Sequence, residues 1–511
     1  MSALRKRLLA RKPFEEVRAD IERHGLHRRL GPWHLVMLGI GCIVGAGVFI
    51  MTGTAAANYA GPGVVLSFAF AGLACAFTGL CYAELASTLP VSGSSYTYAY
   101  ATLGEGAAWG LGWLLMLEYG LAGAALAAGV SGYLSSLLAD FNLVVPPMLN
   151  TPFVQGVPTA EGLVFRIGNG VNLLAASFLL AFAWILIRGV SQSATVNVLM
   201  VVLKVSVLLL FVIVGAQFVD TGNWSPLVPP NEGGFRYGME GVLRAASVLF
   251  FAYLGFETVS TAALEARDPQ RHMPIGILGS LAVCTALYIA VALVLTGLVP
   301  YRLLGVPDPI ALAIDHIGMP GLALVIKFGA VIGLCSVLMV NTYGHSRICF
   351  AMSRDGLLPP LFAQVHERFR TPHKGTLAVA GISAVAAMLL PISILGDLVS
   401  LGVAFAFSIV AISVMWLRTR HPDLPRPFRV PLGGVRVRGV WLGTVPVCAL
   451  LLCMCMAGPV LYDIAAKAIR GDAIPAVILA LYLVVGVWVY ARYGFRHSRV
   501  GSRMAGAQRE T

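Results

Sequence analysis

The run Gly39-Ile40-Gly41-Cys42-Ile43-Val44-Gly45-Ala46-Gly47 sits at the centre of an apolar stretch, 33–58, that is otherwise long enough to cross a bilayer as a helix. Four glycines in nine residues undermine that helix, each by roughly 1 kcal/mol relative to alanine. A second apolar stretch, 240–264, carries a comparable interruption, Phe251-Ala252-Tyr253-Leu254-Gly255-Phe256-Glu257, with one glycine and a carboxylate at similar depth. A proline stands near the start of the helix that follows each, Pro62 and Pro274. The two stretches lie five spans apart and traverse the membrane in opposite senses. That is the trace expected of a five-helix inverted repeat whose first helices are broken.

Outward from these stretches, composition demands a membrane. Of 511 residues, 58% are hydrophobic and 12% charged, against roughly 25% charged in a soluble domain, so lipid must be part of the solvent. Twelve segments reach spanning length: 33–58, 63–87, 107–138, 171–188, 194–218, 240–264, 275–299, 321–350, 375–391, 394–417, 441–463 and 473–492. We number them spans 1 to 12. The net charge of +12 raises a nucleic-acid partner, but its placement argues instead for topology. Nine basic residues fall in the first 32 positions, and Arg188, Arg267, Arg271, Arg354, Lys374, Arg418, Arg438 and Arg492 lie on the same side. The opposite loops hold only Arg166, Arg236, Arg302, Lys467 and Arg470. Both termini are therefore expected in the cytoplasm. The charged segment from Arg5 to Arg29 is too long for a cleavable leader, so span 1 is expected to stay in the mature protein. All nine cysteines fall in apolar runs and read as small hydrophobes, with neither a disulfide framework nor a metal site among them.

Unwinding a helix in lipid strands backbone N–H and C=O groups at a cost of several kcal/mol each, so a break persists only where protein, water or ligand supplies partners. The positive end of a half-helix suits a carboxylate and freed carbonyls suit an ammonium, which a zwitterionic amino acid offers together. Close helix packing through small residues is an equally good account of Gly41 and Gly45 taken alone. A dinucleotide fingerprint fails, because Val44 stands where the third glycine belongs and no strand precedes it.

At these residues the chain resembles the amino acid–polyamine–organocation superfamily, in particular the bacterial twelve-helix type of its cationic amino acid transporter branch. The resemblance rests on Gly39 to Ile50, on Cys81-Tyr-Ala-Glu-Leu-Ala, and on Pro90-Val-Ser-Gly-Ser-Ser-Tyr onward to Glu105. It continues through Phe250 to Glu257, Arg267 to Gly276, Ala351 to Pro359 and Arg426-Pro-Phe-Arg-Val-Pro431, and covers about residues 28 to 493. It implies a ten-helix inverted-repeat core with broken helices 1 and 6, plus two peripheral helices. It also implies that a substrate carboxylate meets the backbone at Gly45, Ala46 and Gly47, and that its amino group meets carbonyls of Phe251, Ala252 and Leu254 together with Ile43. Two departures stand out: Ala46 replaces a common Thr or Ser, and Glu257 a commoner Asp.

Charges inside the spans are expensive and default to function. Lys204 lies about 15 Å into span 5 at 1.5 Å per residue, and reads as a coupling residue, as one half of a structural ion pair or as a neutralised lysine. The resemblance places it where sodium-coupled relatives hold a sodium ion, which implies coupling without sodium and a role in moving protons. Glu118, in span 3, is positioned either to meet a cationic substrate or to anchor packing. Glu257 is expected to hydrogen-bond the unwound backbone, and Glu84 to gate or brace the inner end of span 2. Glu240 and Arg244, four apart, read as a helix-face pair, and Lys327 as a snorkelling residue. A side chain at Gly47 is expected to enter the carboxylate site.

A channel would want rings of charge or a carbonyl filter. A membrane enzyme would want a motif such as H-E-x-x-H or G-x-S-x-G, and an ATP-driven pump a P-loop; the chain has none of these. The sequence therefore reads as an all-α integral membrane protein without enzymatic activity, needing no cofactor or metal and no nucleic-acid or nucleotide partner. It divides into a basic segment 1–32, a transport core 33–417, a basic loop 418–440, two peripheral helices 441–493 and a tail 494–511. The expected function is secondary active transport of L-amino acids across a plasma or inner membrane, by proton coupling or exchange and without sodium. Cationic amino acids are favoured over small neutral ones, and polyamines or organic cations are the alternative cargo.

Overall fold

Apolar runs bounded by Pro, Gly and charged residues become helices here, because in lipid only a helix satisfies its own backbone. The computed structural model describes residues 8–12, 30–89, 94–159, 162–189 and 194–500. Most of the basic N-terminal segment, the 90–93 part of the motif after span 2 and the tail beyond 500 lie outside the described residues. Nine described helices are long and apolar enough to cross a membrane, and three shorter apolar helices, Pro32–Ile43, Leu173–Ile187 and His373–Leu389, accompany them.

Span 1 is Pro32–Ile43 followed, after a break, by Gly47–Met51, Thr52–Ala55 and Ala56–Ala60. Spans 2 to 5 are Val64–Thr88, Glu105–Ala139, Leu173–Ile187 and Ala194–Gly215. Span 6 is Gly238–Leu249, broken before Thr258–Thr261. Spans 7 to 12 are Pro269–Leu298, Pro320–Arg354, His373–Leu389, Ile392–Arg420, Thr444–Ile469 and Ile474–Val489. Local chemistry sets several of these ends. The Asn172 side chain accepts from Ala175 N at 2.9 Å and caps span 4, while Pro391 keeps span 9 from running into span 10.

The packing has an internal symmetry. Span 2 packs along span 7, span 3 along span 8 and span 4 along span 9, and the broken parts of spans 1 and 6 touch each other. Each of these spans thus lies against the one five positions later, which is what a pseudo-two-fold axis in the membrane plane requires of elements beside it. Spans 6 and 10 are the most enclosed, with 83% of the apolar window buried, whereas span 12 buries 11%. Span 12 is nonetheless anchored on span 3. Trp113 Nε1 donates to the Tyr482 carbonyl at 3.1 Å, the Tyr482 hydroxyl donates to the Trp113 carbonyl at 2.5 Å, and the two rings stack 4.9 Å apart.

Beyond the spans the chain adds two short helices, Ser94–Thr102 and Pro309–Ile317, and two antiparallel hairpins, Val154–Thr159 with Gly162–Ile167 and Gly434–Val437 with Val440–Gly443. The second hairpin turns through Arg438 and Gly439, both at positive φ, as a two-residue turn matched to strand twist needs. On the face where span 1 begins, the two ends of the described chain meet. Glu105 N donates to Ala10 O at 2.8 Å, Lys12 reaches Asp355 at 3.4 Å, and Arg499 N donates to Asp355 O at 3.1 Å. The buried Glu105 carboxylate accepts from Tyr100 at 3.2 Å, Tyr490 at 3.0 Å and the Ser498 hydroxyl.

Candidate functional site

The first half of span 1 ends at Ile43, and Val44 turns extended at φ −71°, ψ 97°. Helical geometry resumes at Ala46, and a wide π-type turn follows from Gly47. The break therefore sits at Val44–Gly45; the glycine density predicts a non-helical stretch over Gly45, Ala46 and Gly47, but Ala46 and Gly47 are already helical. Ala46 and Gly47 are the first turn of the second half, where N–H groups have no acceptor within the helix. Their position favours an anion, as the sequence reading requires of a carboxylate site.

In span 6 the α-helix tightens into a 3₁₀ turn over Phe250–Tyr253 and then unwinds through Leu254, Gly255 and Phe256. Gly255 sits at φ 119°, a conformation that L side chains rarely adopt. The two breaks are pressed together. A Cβ on Gly47 would lie 2.3 Å from the Ala252 Cβ and 2.4 Å from its Cα, and a Cβ on Gly255 would lie 2.7 Å from the Cys42 carbonyl carbon. A side chain at Gly47 thus meets the backbone of span 6 before it meets any ligand, which corrects the expectation that it would simply fill a carboxylate site.

Lys204 is 1% exposed, and its ammonium donates to the carbonyl of Gly41 and, at 2.9 Å, to that of Val44. It caps the negative end of the first half-helix, the position that most favours a cation. Its stem fits because span 8 presents Gly333, whose added Cβ would lie 3.0 Å from Lys204 Cβ. On the other side of the break the Tyr288 hydroxyl lies 2.8 Å from the Ile43 carbonyl and 3.2 Å from that of Ala252, bridging the two breaks. Ser400 of span 10 braces span 6, donating to Val248 O at 2.8 Å and accepting from Phe251 N at 3.3 Å. The Glu257 carboxylate accepts from Gly255 N at 2.9 Å, so it does bond the unwound backbone, and the Tyr119 hydroxyl stands 3.5 Å from its other oxygen.

Ile43, Gly45, Ala46, Gly47, Phe251, Ala252 and Leu254 are thus gathered at the meeting of the breaks, with Lys204 bonded to the neighbouring carbonyls of Gly41 and Val44 and Glu257 to Gly255 N. Glu118 is fully buried in span 3, within electrostatic reach of Glu257, and neither carboxylate oxygen has a hydrogen-bond partner among the described residues. Glu84 stands apart. It holds Arg418 at 2.8 and 2.5 Å and Val430 N at 2.8 Å, pinning the loop between spans 10 and 11 to the C-terminal end of span 2.

Two sequence readings are corrected. Arg244 does not pair with Glu240; its Nη2 meets Asp397 of span 10 at 2.7 Å and Asp463 of span 11 at 2.9 Å, with the guanidinium 4.7 Å from the Tyr59 ring. Lys327 does not snorkel; it is 1% exposed and bonds Asp140 at 2.8 Å and Asp315 at 2.9 Å. Tyr288 and Ser400 escaped the sequence reading altogether. For Tyr288 the available signal was a hydroxyl in the middle of an apolar span, which must find a partner there.

Comparison with known proteins agrees with this architecture. A family model described as amino acid permease matches residues 30–489. The chain is 42% identical to a methylthioribose transporter of Bacillus subtilis over 96% of its own length and 98% of that protein's. It is 39% identical to a branched-chain amino acid permease of the same organism, covering 93% and 95%. It is 37% identical to a vacuolar cationic amino acid transporter of Arabidopsis thaliana, covering 78% and 65%. With broken spans 1 and 6 meeting at the centre of a twelve-span bundle, and with matches that run nearly end to end, this chain belongs to the amino acid permease family, whose members are transporters and not enzymes.

Proposed function

We propose that the protein is a sodium-independent secondary transporter that carries a net-neutral L-amino acid across the bacterial inner membrane by alternating access. Its termini lie in the cytoplasm, on the side where basic residues collect. The solute's carboxylate meets the N–H groups from Gly45 to Gly47, and its ammonium meets carbonyls of Phe251, Ala252, Leu254 and Ile43. The observation that carries this reading is Lys204, whose ammonium occupies the two freed carbonyls of span 1 and supplies the positive charge there without a metal ion. A lysine that a proton can leave and rejoin also offers a route to proton coupling or exchange.

The resemblance to the cationic branch leans toward arginine, lysine and ornithine. The two relatives matched nearly end to end lean toward solutes without a cationic side chain, a branched-chain amino acid and methylthioribose. Methylthioribose is the second reading, favoured by the relative at 42% identity, although it offers neither carboxylate nor ammonium to the breaks. Purified protein in liposomes, given labelled leucine, arginine, methylthioribose and putrescine in sodium-free choline buffer, separates these. Saturable counterflow of leucine without sodium is the expected result. Uptake that requires sodium, or competition by amines but not by amino acids, sinks the proposal.

A further inference from the structure

A cavity of about 480 Å³ lies on the face opposite the described ends of the chain and is lined by Thr54, Ala57, Asn58, Arg236, Tyr237 and Arg302, among others. Thr54 follows Gly47 by seven residues, so the cavity floor lies about 10 Å outward of the breaks along the second half of span 1. Two guanidiniums and, among the described residues, no carboxylate appear in its wall. Both turn on one acid. Arg236 Nε meets Glu232 at 3.1 Å, and Arg302 bonds the other Glu232 oxygen, leaving the trio with one net positive charge. The hydrogen bond to Glu232 raises the Arg302 pKa, so Arg302 stays charged across any working pH. Asp308 and Asp315, the next acids in the chain, interact with Lys327 instead, Asp308 also with Ser136.

We propose that this cavity is an outer waiting site, in which Arg302, supported by Arg236, receives the carboxylate of a net-neutral solute and turns away dibasic ones before they reach the breaks. The inference rests on the transport reading above and deepens it by assigning charge selection to a place. A planar guanidinium recognises a carboxylate through parallel N–H donors. Arg302 is half exposed, at 52%, and has one donor engaged on Glu232. The site is also mechanically joined to the element beside it. The Tyr237 hydroxyl donates to Ala57 O at 2.8 Å and Tyr237 N to Tyr59 O at 2.7 Å, while both guanidiniums lie over the Tyr237 ring at 5.6 and 5.4 Å. Movement of the outer half of span 1 therefore carries the arginines with it.

The test uses right-side-out and inverted membrane vesicles of the full chain carrying Arg302→Glu or Arg302→Lys. An exposed charge pair is worth at most about a fivefold change in apparent affinity. In right-side-out vesicles at low salt, Arg302→Glu should raise the half-saturating leucine concentration about fivefold and strengthen arginine as a competitor by a similar factor. Both shifts should shrink as salt rises from about 0.01 to about 1 M, where the screening length falls from about 30 to about 3 Å. Arg302→Lys should keep the neutral-over-dibasic preference, and transport from the other face, read in inverted vesicles, should keep its half-saturation in both variants. If Arg302→Glu is present at wild-type levels yet shows unchanged leucine affinity and unchanged arginine competition, the waiting site is wrong while the transport reading stands. If wild-type vesicles move no amino acid at all, both fall.

Discussion

Lys204 and Gly47 show what single residues contribute to a broken helix. The lysine supplies donors where span 1 has two carbonyls with no partner in the helix, and the glycine lets the backbones of two half-helices touch. Lys204→Met keeps the bulk of the stem and removes the charge, leaving buried carbonyls that each cost about 1–3 kcal/mol when unpaired. We expect lower thermal stability in detergent, loss of pH-dependent uptake and retention of weak substrate binding. A variant that keeps the full pH response would make Lys204 a structural brace only. Gly47→Ala should abolish uptake, and Ala252→Gly should not rescue it, because the added Cβ would still lie 2.4 Å from the Ala252 Cα. Uptake by the double variant at wild-type rate would show that the two halves can part. Lys204 and Glu257 were legible because an ionisable group in a membrane is rare and costly. The partners of Tyr288 and Ser400 were not, since nothing in a tyrosine or a serine says which residue, 36 or 149 positions away, it will meet.

Helices were the most legible element, as hydrophobic length alone sets them, and the two breaks were readable from glycine. What local pattern could not supply was the partner of a charge. Arg244 has an acid four residues before it, but the helix sends its side chain into the bundle, where Asp397 waits 153 residues further on. Spans 6, 10 and 11 are joined through that one guanidinium nitrogen. Lys467 also holds Asp463, at 3.1 Å, so Asp397 is the acid left, among the described residues, without a cation if Arg244 is lost. Arg244→Met should therefore cost about 3–5 kcal/mol, the usual penalty of orphaning a buried partner. Asp397→Asn in the same chain should return part of it. Melting of the wild type and the two variants in detergent decides the matter: equal melting of Arg244→Met and wild type would mean the charges are solvated.

For the molecule as a whole, sequence supplied the number of the spans but not which lies beside which. The pairing of spans 2, 3 and 4 with 7, 8 and 9 belongs to a symmetry axis, and no single span carries a mark of it. The same holds for the meeting of the ends of the described chain, where the Glu105 carboxylate collects Tyr490 and Ser498. Removing everything after Val489 should leave that buried carboxylate with Tyr100 as its one remaining side-chain donor among the described residues. The truncated protein should then reach the membrane in lower amount and melt earlier; accumulation at the wild-type level would show that the clasp is dispensable. The clasp also has a consequence in time. Ser498 is made 393 residues after Glu105, about 20–80 s later at a ribosome's pace of about 5–20 residues per second. During that interval the N-terminal end of span 3 waits in the bilayer with its acid incompletely paired, so residues translated long after it are the ones that finish one of the early helices.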